Sequence, residues 1–269
     1  MNPPETRFRT LWISDTHLGA RTSQPEHLLD FLERHDADRI YLVGDLIDGL
    51  QLRRRWYWHP CKDRILSLLI DKQSRGCEVI YIPGNHDAFM RHYIGHSVAG
   101  VAVRNDAVHE TADGRRLWVL HGDGYDGVLP MAPWLALLGG RVYAATIWLN
   151  HWQGRIRRRL GLPHWSLALW LSQKSGKARK FVDAFEQAVS EAAARRGYDG
   201  VVCGHIHRPA IKNIAGVQYY NTGDWMDSCT ALVEPHRGPI RLVRWFKPRE
   251  QTVPATVPLL EHGVAVTGG

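Results

Sequence analysis

Five short fragments concentrate the Asp, His and Asn residues of this chain: Asp15-Thr16-His17, Gly44-Asp45-Leu46-Ile47-Asp48, Gly84-Asn85-His86-Asp87, His121-Gly122-Asp123 and Gly204-His205-Ile206-His207. Carboxylate oxygens, imidazole nitrogens and one amide carbonyl make a mixed hard and borderline donor set. Such a set suits Mn2+, Fe2+ or Zn2+ rather than a thiolate site, and none of the four Cys is needed. Asp15/His17 and His205/His207 are each spaced i, i+2. On an extended segment that spacing sends both side chains to one side, so each pair is expected to grip a metal.

The three middle fragments directly follow β-rich apolar runs at residues 40–43, 79–82 and 117–120, so each sits where a strand ends and a loop begins. Side chains at the carboxyl ends of successive strands converge on one crevice. The pattern predicts strand 10–14, helix 25–35, strand 39–43, helix 60–75 and strand 78–82, with Pro25 and Pro60 in helix first turns that tolerate a missing N–H. That alternation is a βαβ pattern. Phe181, Ala184, Phe185, Ala188 and Val189 recur at helical spacing within a helix over 178–196. Strands follow near 201–203, 210–214, 217–220, 230–233 and 240–245, with Ala215-Gly216 as a tight hairpin. The Pro-rich tail over 248–269 is expected to lack order.

The fragment order D-x-H, GD-x-x-D, GNHD, HGD, GHxH resembles that of the calcineurin-like metallophosphoesterases, over about residues 9–235. The resemblance implies an α/β fold, a four-layer α/β/β/α sandwich, here with core segments 1–124 and 181–247 and a helical lid inserted over 125–180. It places Asp15, His17 and His207 on one divalent metal and Asn85, His121 and His205 on a second, with Asp45 bridging and Mn2+ as the expected ion. It also puts His86 beside the leaving oxygen, oriented by Asp48, as a general acid. Asp87 and Asp123 are either partners that orient a ligating His or turn formers. His27, His35, His59, His92, His96, His109, His151, His164 and His236 read as ordinary polar residues.

The insertion carries five of the eleven Trp (Trp134, Trp148, Trp152, Trp165 and Trp170), and Arg141 is the one charged residue of 128–149. Pro130, Pro133, Gly139-Gly140 and Arg141 interrupt it as a membrane span. Arg155, Arg157, Arg158 and Arg159 fit an interfacial anchor on anionic lipid, with extra core packing as the plainer reading. A formal charge of +7 suits lipid, nucleic acid or polyphosphate alike; the basic residues accompany long aliphatic runs rather than a polar groove with stacking aromatics, which argues against nucleic acid. Core plus insertion resembles the UDP-2,3-diacylglucosamine pyrophosphatases of lipid A biosynthesis and their close paralogues. That resemblance implies a lipid-linked nucleotide substrate, cleaved to UMP and 2,3-diacylglucosamine 1-phosphate by a water held between the metals, and substrate contacts from Ser172, Lys174, Lys177 and Lys180. It also implies a peripheral enzyme of the inner membrane face, in keeping with an N-terminus that has no apolar signal segment and Cys that read as reduced. The resembled enzymes carry Arg where this chain has His86. Arg holds its proton, so His86 keeps open a cyclic-nucleotide or general phosphodiesterase, a phosphomonoesterase and a phosphoprotein phosphatase. A silent membrane- or protein-binding scaffold would have no need of all seven donors.

Overall fold

The computed structural model describes residues 6–128, 176–246 and 249–253. Strand β1 (Thr6–Ile13) leads into α1 (Pro25–Arg34), β2 (His35–Val43), a short α2 (Gly49–Arg54), α3 (Pro60–Ser74) and β3 (Glu78–Ile82). Pro25 and Pro60 both occupy the first helical turn, and the His59 side chain caps α3 by accepting the Cys61 N–H. β1, β2 and β3 pair in parallel, in sequence order. Strands β4 (Ser97–Val98) and β5 (Val101–Val103) finish that side of the sheet.

The chain then builds a second sheet from β6 (Ala107–Glu110), β7 (Arg116–Val119), β8 (Gly200–Cys203), β9 (Ala210–Ile214) and β10 (Val217–Asn221), with α4 (Gly176–Arg195) preceding β8. Their order is β6-β7-β8-β10-β9. The chain returns to the first sheet through β11 (Thr230–Glu234), β12 (Arg241–Phe246) and β13 (Arg249–Val253), which extend it antiparallel from β1. β13 falls in the stretch from which the Pro content predicts no order; residues 249–253 contain no Pro and pair with β12 along its length.

Strand alternation accounts for the layers. Leu11 and Ile13, Ile40 and Leu42, Val79 and Tyr81 face α1 and α3, meeting Leu28, Phe31, Leu32, Ile65, Leu68 and Leu69. The intervening Trp12, Tyr41, Val43, Ile80 and Ile82 point the other way, onto Leu117, Val119, Val202 and Tyr220 of the second sheet. Trp118, Val201, Cys203 and Tyr219 in turn face α4 through Phe185, Val189, Ala192 and Ala193. Three apolar seams between four layers make the α/β/β/α sandwich that the motifs imply. On α4 the buried stripe runs through Val182, Phe185, Val189, Ala192 and Ala193, while Phe181, Ala184 and Ala188 are half-buried, so the true inner face is rotated from the one the apolar spacing picked.

A polar node fastens the two sheets. Glu234, closing β11, accepts from the Arg9 guanidinium at 2.7 Å, from His109 Nε2 on β6 at 2.9 Å and from the Ala112 N–H at 2.8 Å. Glu234 and His109 are both buried. Of the lid expected over 125–180, residues 129–175 lie outside the described residues, and with them Ser172 and Lys174. Lys177 and the exposed Lys180 fall in the first turns of α4. Among the described residues no helix is long and apolar enough to cross a membrane.

Candidate metal centre

Every candidate donor lies just past the carboxyl end of a strand: Asp15 and His17 after β1, Asp45 and Asp48 after β2, Asn85 and His86 after β3, His121 after β7, His205 and His207 after β8. The local backbone differs from the extended one on which the i, i+2 argument rests. Asp15, His17, Asp45, His205 and His207 all have left-handed φ, between 45° and 68°, and make up five of the eight non-glycine residues described there. Strain of this kind persists where surrounding structure holds it, typically at functional sites. It turns each side chain individually toward the crevice, so partners are set by tertiary contacts and not by strand period.

One trio gathers Asp15, His17 and His207. His207 Nε2 is 3.0 Å from Asp15 Oδ1 and 3.3 Å from His17 Nε2, and His17 Nε2 is 3.9 Å from Asp15 Oδ1. A second gathers Asp45, Asn85 and His121, with His121 Nε2 at 3.5 Å from Asp45 Oδ2 and 3.3 Å from Asn85 Oδ1. Asp45 Oδ2 is also 3.7 Å from His17 Nε2, so this one carboxylate faces both trios. Donors bound at about 2.1 Å to one ion stand about 3.0 Å apart along an octahedral edge and about 3.4 Å along a tetrahedral one; the trios fall close to that range. Asp15 Oδ1 is buried and meets no hydrogen bond of good geometry, its one close neighbour being the His207 imidazole at 3.0 Å, so a cation would complete its partners. The residues present therefore fit a pair of divalent ions.

The imidazoles are fixed from behind. His121 Nδ1 donates to the Val43 carbonyl at 3.0 Å and His17 Nδ1 to Asp48 Oδ2 at 3.2 Å, which leaves each Nε2 lone pair facing the cluster. Asp48 accepts the Gln51 N–H through Oδ1 at 2.8 Å, capping α2, and the same oxygen lies 3.1 Å from His86 Nδ1. Asp48 thus positions His17 as well as His86, a second duty its motif does not announce. Close approach also dictates the glycines. A Cβ on Gly84 would collide with Asp45 Oδ1 and stand 2.7 Å from His121 Nε2, and one on Gly44, whose φ is +79°, would strike the His121 ring.

The carboxylates and imidazoles of the cluster shift one another's protonation. Burial pushes the Asp45 carboxyl up, but the hydrogen bond and charge of His121 outweigh it and hold it at about 2. Burial likewise opposes charge on His121 and His207, yet Asp45 and Asp15 raise His121 to about 10, and Asp15 raises His207 to about 9. Asp15 and Asp48 both sit well below the usual carboxylate range: burial opposes this, and the charge of His207 and the His17 and His86 hydrogen bonds, respectively, overcome it.

His205 departs from its expected place. Its Nε2 meets the exposed Asp126 carboxylate at 2.5 Å, and among the described residues it joins none of the groups of three or more clustered His, Cys or carboxylate donors. Its ring stands beside His121, centroids 5.1 Å apart. Asp126 lies on a 3-10 turn, Asp123–Val128, and no motif spacing marks it. Asp87 orients no histidine: it accepts the Leu46 N–H at 2.7 Å, the Gly84 N–H at 2.6 Å and the Tyr81 hydroxyl, binding two site loops together. Asp123 pairs with Arg91 at 2.5 Å.

The cluster opens into a cleft of about 610 Å³ that His86 lines together with Arg21, Gln51, Arg55, Tyr57 and Met226. His86 is half-buried, its ring edge-on to His17 with centroids 4.6 Å apart. Its N–H donates to Asp45 Oδ1 at 2.8 Å. Burial works against its protonation, but Asp48 and Asp45 raise its pKa above the ordinary histidine value. Arg21, Gln51, Arg55 and Tyr57 escape sequence reasoning because they belong to no metal motif.

Residues 8–209 match the calcineurin-like phosphoesterase family. The chain belongs to that family, whose members are hydrolases acting on phosphoester bonds with divalent metal ions. It is 25% identical over 214 residues to the UDP-2,3-diacylglucosamine hydrolases of Yersinia pestis bv. Antiqua (strain Angola) and Yersinia pseudotuberculosis serotype O:3 (strain YPIII), across 76% of this chain and 84% of each relative. Among solved structures, Vacuolar Protein Sorting 29 from Cryptosporidium parvum superposes with a TM-score of 0.46 at 12% identity, covering 91% of this chain and 94% of that one. The phosphoesterase Yfce from E. coli gives 0.40 at 14% identity, covering 87% and 86%.

Proposed function

We propose that this chain cleaves the pyrophosphate bond of a lipid-linked nucleotide, UDP-2,3-diacylglucosamine, yielding UMP and 2,3-diacylglucosamine 1-phosphate. Asp15, His17 and His207 would hold one divalent cation, preferably Mn2+, and Asn85 and His121 the other, with Asp45 touching both and His205 completing the second set by leaving Asp126. When bound, such a pair supplies Lewis-acid activation of water and neutralises charge on the phosphoryl oxygens. The protein's own residues do the rest: Asp48 and the Val43 carbonyl fix the His17 and His121 tautomers, and Asp87 locks the loops that carry Asp45 and Asn85. The observation that carries the reading is the convergence of two donor trios on the shared Asp45 carboxylate. The substrate is supported by the relatives' activity over most of both chains.

His86 supports a second reading. With Nδ1 turned to Asp48, its Nε2 can carry a proton to a poor leaving oxygen, as a phosphodiesterase or phosphomonoesterase needs; a departing phosphate scarcely requires one. Membrane contact through residues 125–180 belongs to the proposal as well, for the substrate's acyl chains reside there.

The test is hydrolysis of bis(p-nitrophenyl) phosphate and of UDP-2,3-diacylglucosamine, before and after chelation and with Mn2+ restored, the lipid reaction being followed by mass spectrometry. Both activities should vanish with chelator and return with Mn2+, and Asp45→Ala should abolish both. Chelator-indifferent turnover refutes the metal centre. Metal-dependent cleavage of the diester without release of UMP from the lipid refutes the substrate and leaves the phosphodiesterase reading.

A further inference from the structure

One wall of the cleft carries positive charge that the metal cluster does not use. Arg21 and Arg55 line it beside Tyr57. The Arg21 guanidinium lies 5.4 Å from the Tyr57 ring centroid, and Lys62 Nζ, reaching from α3, lies 4.5 Å from the same centroid and 5.7 Å from that of Trp58. Lys62 is fully buried, and its ammonium donates one hydrogen bond, to the Tyr57 carbonyl at 3.4 Å.

Among the described residues, none of these three cations pairs with a carboxylate. A buried ammonium compensated by aromatic faces and one carbonyl is costly to retain, and burial pushes its pKa down. Its position behind Tyr57 adds to the positive potential of the wall. Guanidinium groups keep their charge at any physiological pH and present a planar fork of donors that matches a phosphoryl group in bidentate fashion.

We propose that Arg21 and Arg55, backed by Lys62 behind Tyr57, form a second anion subsite that selects substrates with another phosphoryl group next to the one that reacts. Resting on the phosphohydrolase reading of the donor cluster, the subsite adds a specificity determinant distinct from any metal ligand. Arg21 and Arg55 would grip the non-reacting phosphoryl, and Tyr57 holds Arg21 in place. Substrates with a single anionic phosphorus leave these charges unanswered and bind less well.

The experiment compares metal-loaded wild type with the Arg21→Ala/Arg55→Ala double variant and the Arg21→Lys/Arg55→Lys control. The probes are bis(p-nitrophenyl) phosphate, with one negative charge, and UDP-N-acetylglucosamine, a soluble diphosphate diester, followed as substrate or as competitive inhibitor of the first. Both arginines are exposed, so the fold should survive, as circular dichroism would record. The preference for the diphosphate probe, as a ratio of kcat/KM values or as an inhibition constant, should fall roughly 10- to 100-fold in the double variant, the range for losing charge-assisted bonds. The Lys control should recover part of it. An unchanged preference, with both probes affected equally or neither affected, overturns the subsite; so does a wild-type enzyme that ignores the diphosphate probe. Loss of metal dependence in wild type would instead refute the donor cluster, a separate failure visible with bis(p-nitrophenyl) phosphate alone.

Discussion

Replacing Asp48 by Asn separates its two roles from its shape. The amide oxygen can still accept the Gln51 N–H and cap α2, since Asn is as good an N-cap as Asp. What is lost is the negative charge that faces both imidazoles, together with the Oδ2 acceptor 3.2 Å from His17 Nδ1, while an oxygen stays in the Oδ1 place, now 3.1 Å from His86 Nδ1. A hydrogen bond to a charged group contributes about 1.5 to 3 kcal/mol, which corresponds to roughly a 10- to 150-fold change in an equilibrium constant. Loss of the carboxylate behind a metal-ligating His weakens metal affinity by about 10- to 100-fold. The assay is Mn2+ activation of bis(p-nitrophenyl) phosphate hydrolysis by protein stripped of metal. Asp48→Asn should shift half-maximal activation to about 10- to 100-fold higher Mn2+, and kcat should stay low at saturating metal because His86 no longer faces the carboxylate that favours its protonated form. The melting temperature should move little. A wild-type Mn2+ requirement would show that Asp48 does not orient His17, and the tautomer argument for the donor cluster would fall with it.

Gly84→Ala should remove activity while leaving the fold, because its Cβ would displace Asp45 from His121; misplacement by about 1 Å costs on the order of 100-fold in rate, and a variant with near-normal kcat/KM would contradict the packing described. The Glu234 node predicts a pH dependence of stability. Burial raises the Glu234 carboxyl, but His109, the Ala112 N–H and Arg9 outweigh it and hold it at about 2, against 4.5 for an ordinary Glu. A group depressed on folding contributes fully above its unfolded pKa and loses that contribution as pH falls through the folded one, so the window runs from about 4.5 down to about 2. Glu234→Gln should therefore cost on the order of 2 kcal/mol at pH 7 and progressively less below pH 4.5, read from urea midpoints of the two proteins; a gap constant from pH 7 to pH 3 would refute the node. Burial also lowers the His109 pKa. That neutral imidazole should make wild type lose stability as pH drops below about 6.5, and His109→Gln should flatten that part of the profile.

The primary structure by itself marked the strands and the candidate donors at their ends, because both are local. The continuous apolar runs 40–43 and 79–82 already mark strands, which the fold covers on both faces, and a strand followed by Gly-Asp or Gly-Asn-His places a candidate donor at the strand's carboxyl end. Helix ends were equally legible, through Pro25 and Pro60. Tertiary structure decided which donors meet. His205 and His207 stand one residue apart, with only Ile206 between them, yet His207 turns to Asp15, some 190 positions away, while His205 takes Asp126, since left-handed backbone at both removes the strand rule that would have kept them together. The double service of Asp48, the glycine excluded from a Cβ by a histidine ring, and the cationic wall of Arg21, Arg55 and Lys62 belong to the same class. Each depends on distances between side chains that chain spacing does not encode, and only packing of the two sheets brings them within reach.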